Sequence, residues 1–309
     1  MRPLSCTAAA LALGVSTLAA QEANVRTDQD VTLHDASRKR DLPIRVYIPA
    51  GTARAPVIIF SHGAGGAKID YSYLGGYWAD HGYISIHPSH PESDASIRQP
   101  GRPVRMLWAV RDVTESPQIW QDRARDISFL IDSLNELERR VPLLAGRLDS
   151  SRIGVAGHSE GAQTTALIAG ASVTIDNLTR SFVDRRPRAF IMLSPPGPGR
   201  MGVTDRSLSS VARPTMIMTG SQDGTLGRET PEWRLQTFRA LPSGDKYTVF
   251  IKGASHFTFV GQKPWLGSTE GLTIIQTLTA AFWDAYVRDG RTSVNALTSV
   301  PAGVRVQHK

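Results

Sequence analysis

The chain has 309 residues, 41% of them hydrophobic and 20% charged, which excludes a disordered polymer, a coiled coil and a multi-span membrane protein. A single cysteine, Cys6, excludes a disulfide framework and any cysteine-based zinc site. The net charge of +7 would suit neutral or acidic partners, but the 35 Lys and Arg are dispersed, and no basic stripe interleaved with aromatics points to nucleic acid.

The first twenty residues read as an address. Arg2 supplies a positive charge, Leu4 to Leu18 is an uncharged Ala/Leu-rich run, and small residues precede polar Gln21 and Glu22. This is the pattern of a secretory signal, too short for a membrane span. Cleavage after Ala19 sets Thr17 and Ala19 at the small positions, whereas cleavage after Ala20 sets bulky Leu18 at one of them. The expectation is a leader over residues 1–20, a single domain over 21–309, export to the periplasm or beyond, and no stable membrane insertion.

From there the elements follow in order. Val31 to Leu33 and Leu42 to Ile48 are β-type runs around a polar turn and predict an antiparallel hairpin. The unbroken apolar run ending at Ser61 predicts a strand inside a parallel sheet. Tyr71 to His81 carries Leu74, Tyr77 and Trp78 at helical spacing, and Tyr83 to His87 is the next strand. Glu92 to Trp120 interrupts this rhythm. Long and rich in Arg and Pro, it reads as an excursion serving as a lid or pocket wall, or as padding whose Trp108 and Trp120 pack on the core. Asp122 to Arg140 predicts one amphipathic helix. Strands at Arg152 to Ala156, Ala189 to Leu193, Pro214 to Thr219 and Lys246 to Ile251 alternate with helices at Glu160 to Gly170, Pro231 to Leu241 and Gly271 to Val287. The tail from Asp289 reads as polar and frayed. This alternation predicts an α/β fold: a doubly wound, mostly parallel sheet of about eight strands with helices on both faces and the N-terminal antiparallel hairpin.

The sharpest motif is Gly157-His158-Ser159-Glu160-Gly161, between a predicted strand and a predicted helix. That context is what a G-x-S-x-G nucleophile elbow requires. Glycines allow the tight turn that lifts Ser159 above the sheet, and the helix start turns free N–H groups toward a developing anion. A serine hydroxyl needs a base, and the base an orienting acid. Downstream of Ser159 the only histidines are His256, just past a predicted strand, and His308, in the tail. Open α/β sheets place ligands at strand C-termini, which selects His256. The same criterion selects Asp223 as the acid over Asp205 and over Asp184, which lies among arginines. Backbone donors for the oxyanion are expected from Glu160 and, in the Gly-rich loop Ser61 to Gly66, from Ala64. The Glu160 carboxylate should point away from the site or pair with a base.

Together the run Phe60 to Gly66, the segment Tyr71 to Tyr83, the elbow and Gly253-Ala254-Ser255-His256 resemble the α/β-hydrolase superfamily. Within it they are similar to the branch of bacterial predicted dienelactone hydrolases and plasma-type platelet-activating-factor acetylhydrolases, and more distantly to cutinase-like polyester hydrolases. The resemblance spans about Val31 to Val287. It implies Ser159 as nucleophile, Asp223 as acid, His256 as base, and Ala64 and Glu160 as oxyanion donors. True dienelactone hydrolases use a cysteine nucleophile where this chain has Ser159, which favours a serine esterase. Glu160 replaces the apolar residue often found after the nucleophile.

The leading expectation is an exported serine hydrolase of carboxylic esters, acting on a small-molecule or lipid-like ester without metal or organic cofactor. Within enzymes the alternative is a lipid- or polyester-directed esterase, with Tyr71, Tyr73, Trp78, Trp108, Trp120 and Trp265 as a candidate aromatic wall, although core packing suits most of them better. From another class, the alternative is a catalytically silent binding module on a hydrolase fold.

Overall fold

The computed structural model describes residues 26–98, 102–224, 229–261, 269–290 and 294–309. The leader over 1–20 and Trp265 lie outside the described residues.

The described chain opens with β1 (Thr27–Asp35) and β2 (Arg40–Ile48), paired antiparallel from Thr27 with Ile48 to Asp35 with Arg40, the expected hairpin with both strands longer than the predicted Val31 to Leu33 and Leu42 to Ile48. β3 (Ala55–Ser61), α1 (Ser72–Asp80) and β4 (Ile84–Pro88) follow. Next come α2 (Pro103–Thr114), α3 (Pro117–Asp132), α4 (Leu134–Arg140), β5 (Leu148–His158) and α5 (Glu160–Ala169). A small hairpin of β6 (Ser172–Ile175) and β7 (Leu178–Ser181) leads to β8 (Pro187–Leu193), β9 (Thr215–Gln222), α6 (Pro231–Ala240) and β10 (Lys246–Ser255). The chain ends in α7 (Thr269–Tyr286), α8 (Val294–Thr298) and β11 (Val304–His308).

Nine strands form one sheet in the order β1-β2-β4-β3-β5-β8-β9-β10-β11. The six strands from β4 to β10 in that order pair in parallel, and antiparallel pairs close both edges. The central strands are buried along their whole apolar length because both faces are covered. One face packs Ile127, Leu130, Leu134 and Leu137 of α3 and α4 with Ala162 and Leu167 of α5. The other packs Leu74 and Trp78 of α1 with Ile275, Phe282 and Trp283 of α7.

Four elements differ from expectation. The interrupting stretch Glu92–Trp120 is largely helical. It holds α2 and the start of α3, and Trp120 is buried in the core with its indole donating to the Thr114 carbonyl at 2.8 Å, whereas Trp108 is 54% exposed. The helix expected over 122–140 starts five residues earlier, where Ser116 caps and Pro117 occupies the first turn, and it divides at Ser133. The β6–β7 hairpin turns on Asp176 and Asn177, both at positive φ, a conformation these residues tolerate. The tail is not frayed: β11 pairs antiparallel with β10 from Tyr247 with His308 to Ile251 with Val304, and the His308 ring stacks on Tyr247 at 4.3 Å. Its Val304 and Val306 alternate with polar residues, a pattern too short to stand out against a polar tail.

Candidate active site

Five adjacent parallel strands end on one edge of the sheet, and each delivers a polar group there. Ala64 follows β3, Ser159 follows β5, Ser194 follows β8, Asp223 follows β9 and His256 follows β10. Ser159 occupies the junction between β5 and α5 with φ 55° and ψ −116°, and its amide donates to the Leu193 carbonyl at 3.0 Å. Such a backbone conformation costs a non-glycine residue about 1–3 kcal/mol and persists only when packing enforces it. The flanking glycines explain how it fits. A Cβ at Gly157 would overlap the Gly161 carbonyl and lie 2.9 Å from Thr165 Oγ1, and one at Gly161 would overlap the Ser61 carbonyl and lie 2.7 Å from that of His62.

The three residues expected to work together lie within hydrogen-bond reach. His256 Nε2 is 3.1 Å from Ser159 Oγ and Nδ1 is 3.0 Å from Asp223 Oδ1. A neutral imidazole protonated on Nδ1 satisfies both contacts: it donates to the carboxylate and accepts from the serine hydroxyl. Ser159 and His256 are half-buried and Asp223 is buried.

The carboxylate has further partners that sequence reasoning missed. Ser194 Oγ donates to Asp223 Oδ1 at 2.8 Å and lies 2.7 Å from His256 Nδ1, so the imidazole N–H faces both oxygens. Thr219 Oγ1 donates to Oδ2 at 2.8 Å. Arg234, 2% exposed, places Nε 3.0 Å from both Oδ1 and the Asp223 carbonyl, and donates to the carbonyls of Ser194 and Pro195 and to Glu229 Oε2. Its Nη2 comes within 3.3 Å of Nδ1, a close approach of two groups that both carry hydrogen. Burial would raise the Asp223 carboxyl, but the bond from His256, the Arg234 charge and the bond from Ser194 bring it down to about 2. Ser194 obeys the strand-end rule that selects Asp223 and His256, and was legible by it. Arg234 lies on a helix, where an arginine ordinarily reads as solvated.

The Ala64 and Glu160 amides donate to no acceptor among the described residues, and Glu160 opens α5, whose first amides have no intrahelical partner. The loop carrying Ala64 is fixed on either side. Gly65 N donates to the Ser93 carbonyl at 2.8 Å, and Gly63 N donates to Tyr71 Oη at 3.2 Å. Tyr71 Oη also bonds His158 Nδ1 at 2.8 Å, and the His158 ring lies 4.6 Å from that of His256. Arg98 bonds the Gly65 carbonyl and Asp70. The Glu160 side chain turns away from the site and pairs with Arg123 at 2.9 Å, both fully buried. Burial raises its carboxyl and the Arg123 charge opposes this.

A second Ser-His-Asp set lies behind the first. Ser61 Oγ is 2.9 Å from His90 Nε2, and His90 Nδ1 is 2.9 Å from Asp126 Oδ2. All three residues are 0% exposed, so this set cannot meet a substrate. Asp126 is held in turn by Arg38 at 2.8 Å and Arg40 at 3.0 Å.

The other candidates fall elsewhere. Asp184 pairs with Arg186, Asp205 is exposed in a turn, and His308 stacks on Tyr247. Of the aromatic wall, Tyr71, Trp78 and Trp120 are buried, and Tyr73 is tied to the Phe259 carbonyl. The apolar surface next to His256 is instead Phe257, 49% exposed and edge-on to the imidazole at 5.9 Å. Among the described residues no group of three or more His, Cys, Asp or Glu is arranged to hold a metal, and no helix is long and apolar enough to cross a membrane.

Comparison with known proteins agrees with this architecture. A sequence profile of the family described as Platelet-activating factor acetylhydrolase, isoform II, matches residues 36–100, the stretch from the turn of the first hairpin through β2 and the Ala64 loop to β4 and beyond. Among solved structures, a ferulic acid esterase from Streptomyces cinnamoneus matches with a TM-score of 0.68 at 18% identity, over 92% of this chain and 96% of that one. No curated protein matches the chain. With its mostly parallel nine-stranded sheet and N-terminal hairpin, the chain has the α/β-hydrolase fold, and over residues 36–100 it is similar to the platelet-activating factor acetylhydrolases.

Proposed function

We propose that the protein is a serine hydrolase of carboxylic esters. The observation that carries this reading is the hydrogen-bonded line from Ser159 Oγ through His256 to Asp223 at the end of the parallel strands. His256 Nε2 takes the proton as Ser159 Oγ attacks the ester carbonyl, and the carbonyl oxygen becomes an oxyanion facing the amides of Ala64 and Glu160. Asp223 holds the Nδ1–H tautomer and stabilises the imidazolium. The imidazolium gives its proton to the departing alcohol, leaving an acyl-Ser159. Water, deprotonated by His256, then releases the acid and restores the serine.

The names of the two similar proteins point to acetyl and aromatic acyl groups. Exposed Phe257 beside His256 supports an apolar group on the substrate next to the base. The leader-like residues 1–20 support export of the remaining chain as one catalytic domain.

A series of p-nitrophenyl esters of graded acyl length, run beside Ser159→Ala, tests the reading. Hydrolysis by the native protein and its loss in the variant are expected. Activity that survives Ser159→Ala, or no turnover of any ester together with no labelling by a fluorophosphonate, would overturn it and favour a silent binding module.

A further inference from the structure

We infer that Arg123 is the positioning residue that sets the spacing of the two oxyanion donors, an inference that rests on the reading of Ser159 as an ester nucleophile. The two donors belong to different elements, Ala64 to the loop after β3 and Glu160 to the start of α5. Hydrogen bonds weaken steeply with distance and angle, so two donors serve one oxygen only if their separation is fixed before the substrate arrives.

Arg123 projects from a third element, α3, and is 0% exposed. A guanidinium has five N–H groups in a planar fork, and here they meet five acceptors. Nε donates to Thr164 Oγ1 at 3.1 Å. One terminal nitrogen donates to Glu160 Oε2 at 2.9 Å and to Ser93 Oγ at 2.5 Å. The other donates to Ser61 Oγ at 3.0 Å and to the His62 carbonyl. Two acceptors therefore lie on the helix that begins with one donor, and Glu160 is that donor residue itself. Two more lie where β3 runs into the loop bearing the other donor. The fifth belongs to Ser93, whose carbonyl accepts from Gly65 N at 2.8 Å. Ala64 is thus held on both sides, at His62 directly and at Gly65 through Ser93.

The geometry also explains why this residue is an arginine. A lysine offers three donors from one point and cannot span both elements, so it would preserve the charge opposite Glu160 without the spacing. Arg123 touches no reacting atom in the proposed mechanism and acts through the backbone it holds.

The test compares an oxygen ester with its thionoester, whose sulfur is a much weaker hydrogen-bond acceptor. In Arg123→Lys, kcat for p-nitrophenyl acetate should fall about 30-fold with KM within about twofold, since losing one oxyanion donor outright costs 10²–10³. The ratio of oxygen-ester to thionoester rates should fall with it, because the thionoester draws little from the donors. Ser93→Ala removes one of the five bonds with a small side chain. It should lower the same ratio less, and provides the measurement if Arg123→Lys does not fold. Equal losses on both substrates, or an unchanged kcat, would overturn the inference while leaving the nucleophile reading intact. Failure of the native protein to hydrolyse either ester, or activity in Ser159→Ala, would overturn the nucleophile reading and the inference with it.

Discussion

Replacing Ser194 with alanine tests the acid–base arrangement most directly. The Asp223 carboxylate accepts from Ser194 and Thr219 at 2.8 Å and from His256 at 3.0 Å, with the Arg234 guanidinium as an ion partner at 3.0 Å. Ser194→Ala deletes one of these three donors and the oxygen 2.7 Å from His256 Nδ1. A hydrogen bond to a charged group is worth about 1.5–3 kcal/mol. Only the part that strengthens as the imidazole becomes imidazolium lowers the barrier. The Asp223 bond exists before and after proton transfer, whereas the contact with Nδ1 strengthens on protonation. Taking half of the bond as differential gives about 0.75–1.5 kcal/mol, or about a 4- to 13-fold loss of kcat. The fold should hold, because the Ser194 carbonyl still accepts from Arg234 at 3.2 Å and its amide still donates to Met218 at 2.7 Å. Steady-state kinetics on p-nitrophenyl acetate separate the parameters: kcat should fall and KM stay within twofold. A kcat within twofold of the native value, or a change confined to KM, would refute Ser194 as a support of the base.

Two further outcomes concern stability. Asp35, Asp149 and Asp223 are each held at about 2, below the usual 3.8, where burial acts against the hydrogen bonds and arginine charges that lower them. A lowered carboxyl stabilises the fold above its unfolded pKa and loses that contribution as pH falls through the folded one. Each is worth about 2 kcal/mol at neutral pH. Burial also holds the His62, His87, His90 and His158 imidazoles below the ordinary 6.5, so unfolding, which lets them take up protons, is favoured as pH falls through that value. Thermal unfolding followed by circular dichroism should therefore show a decline that begins near pH 6.5 and a further steep loss between about pH 4 and 2; a flat response between 4 and 2 would contradict the carboxylate assignment. In urea, Trp120→Ala should cost about 3–5 kcal/mol, as large buried-to-alanine changes do. Trp108→Ala, whose ring is 54% exposed, should stay within about 0.5 kcal/mol, and equal losses would mean that α2 packs through Trp108.

What was legible in the chain follows from how many independent signals met at one residue. Ser159 sits where a strand pattern, two glycines and a helix pattern coincide, and Asp223 and His256 each follow an apolar strand. Residues whose role depends on tertiary burial escape such reading. Arg123 and Arg234 lie on amphipathic helices, and nothing local separates a guanidinium facing water from one facing five buried acceptors. One capping pair shows how local signals compete: Ser116-Pro117 and Thr230-Pro231 both cap helices, yet the apolar periodicity predicts a start at Asp122 in the first case and at Pro231 in the second. β11 was missed because five residues pair only through the long-range register with β10, which no window of the tail contains.

The buried Ser61, His90 and Asp126 bear on what makes such a trio reactive. Their spacings match those of Ser159, His256 and Asp223, so a geometric template would count two centres in one molecule. The surroundings separate them. Burial, and the charges of Arg123, Arg40 and Arg38, push the His90 imidazole well below its ordinary range. A proton arriving there from Ser61 would meet the charges of three arginines in a site closed to solvent, and the alkoxide left behind would have no electrophile. Asp126 is already engaged with two arginines and has little charge left for an imidazolium. The inner trio is a proton path with both ends closed, serving as a rigid strut between the first hairpin and the floor of the outer site. Under the proposed function, reactivity is thus a property of the local field and of access to solvent, and titration with an ester that leaves a slow-turning acyl-enzyme should release one equivalent of alcohol per chain.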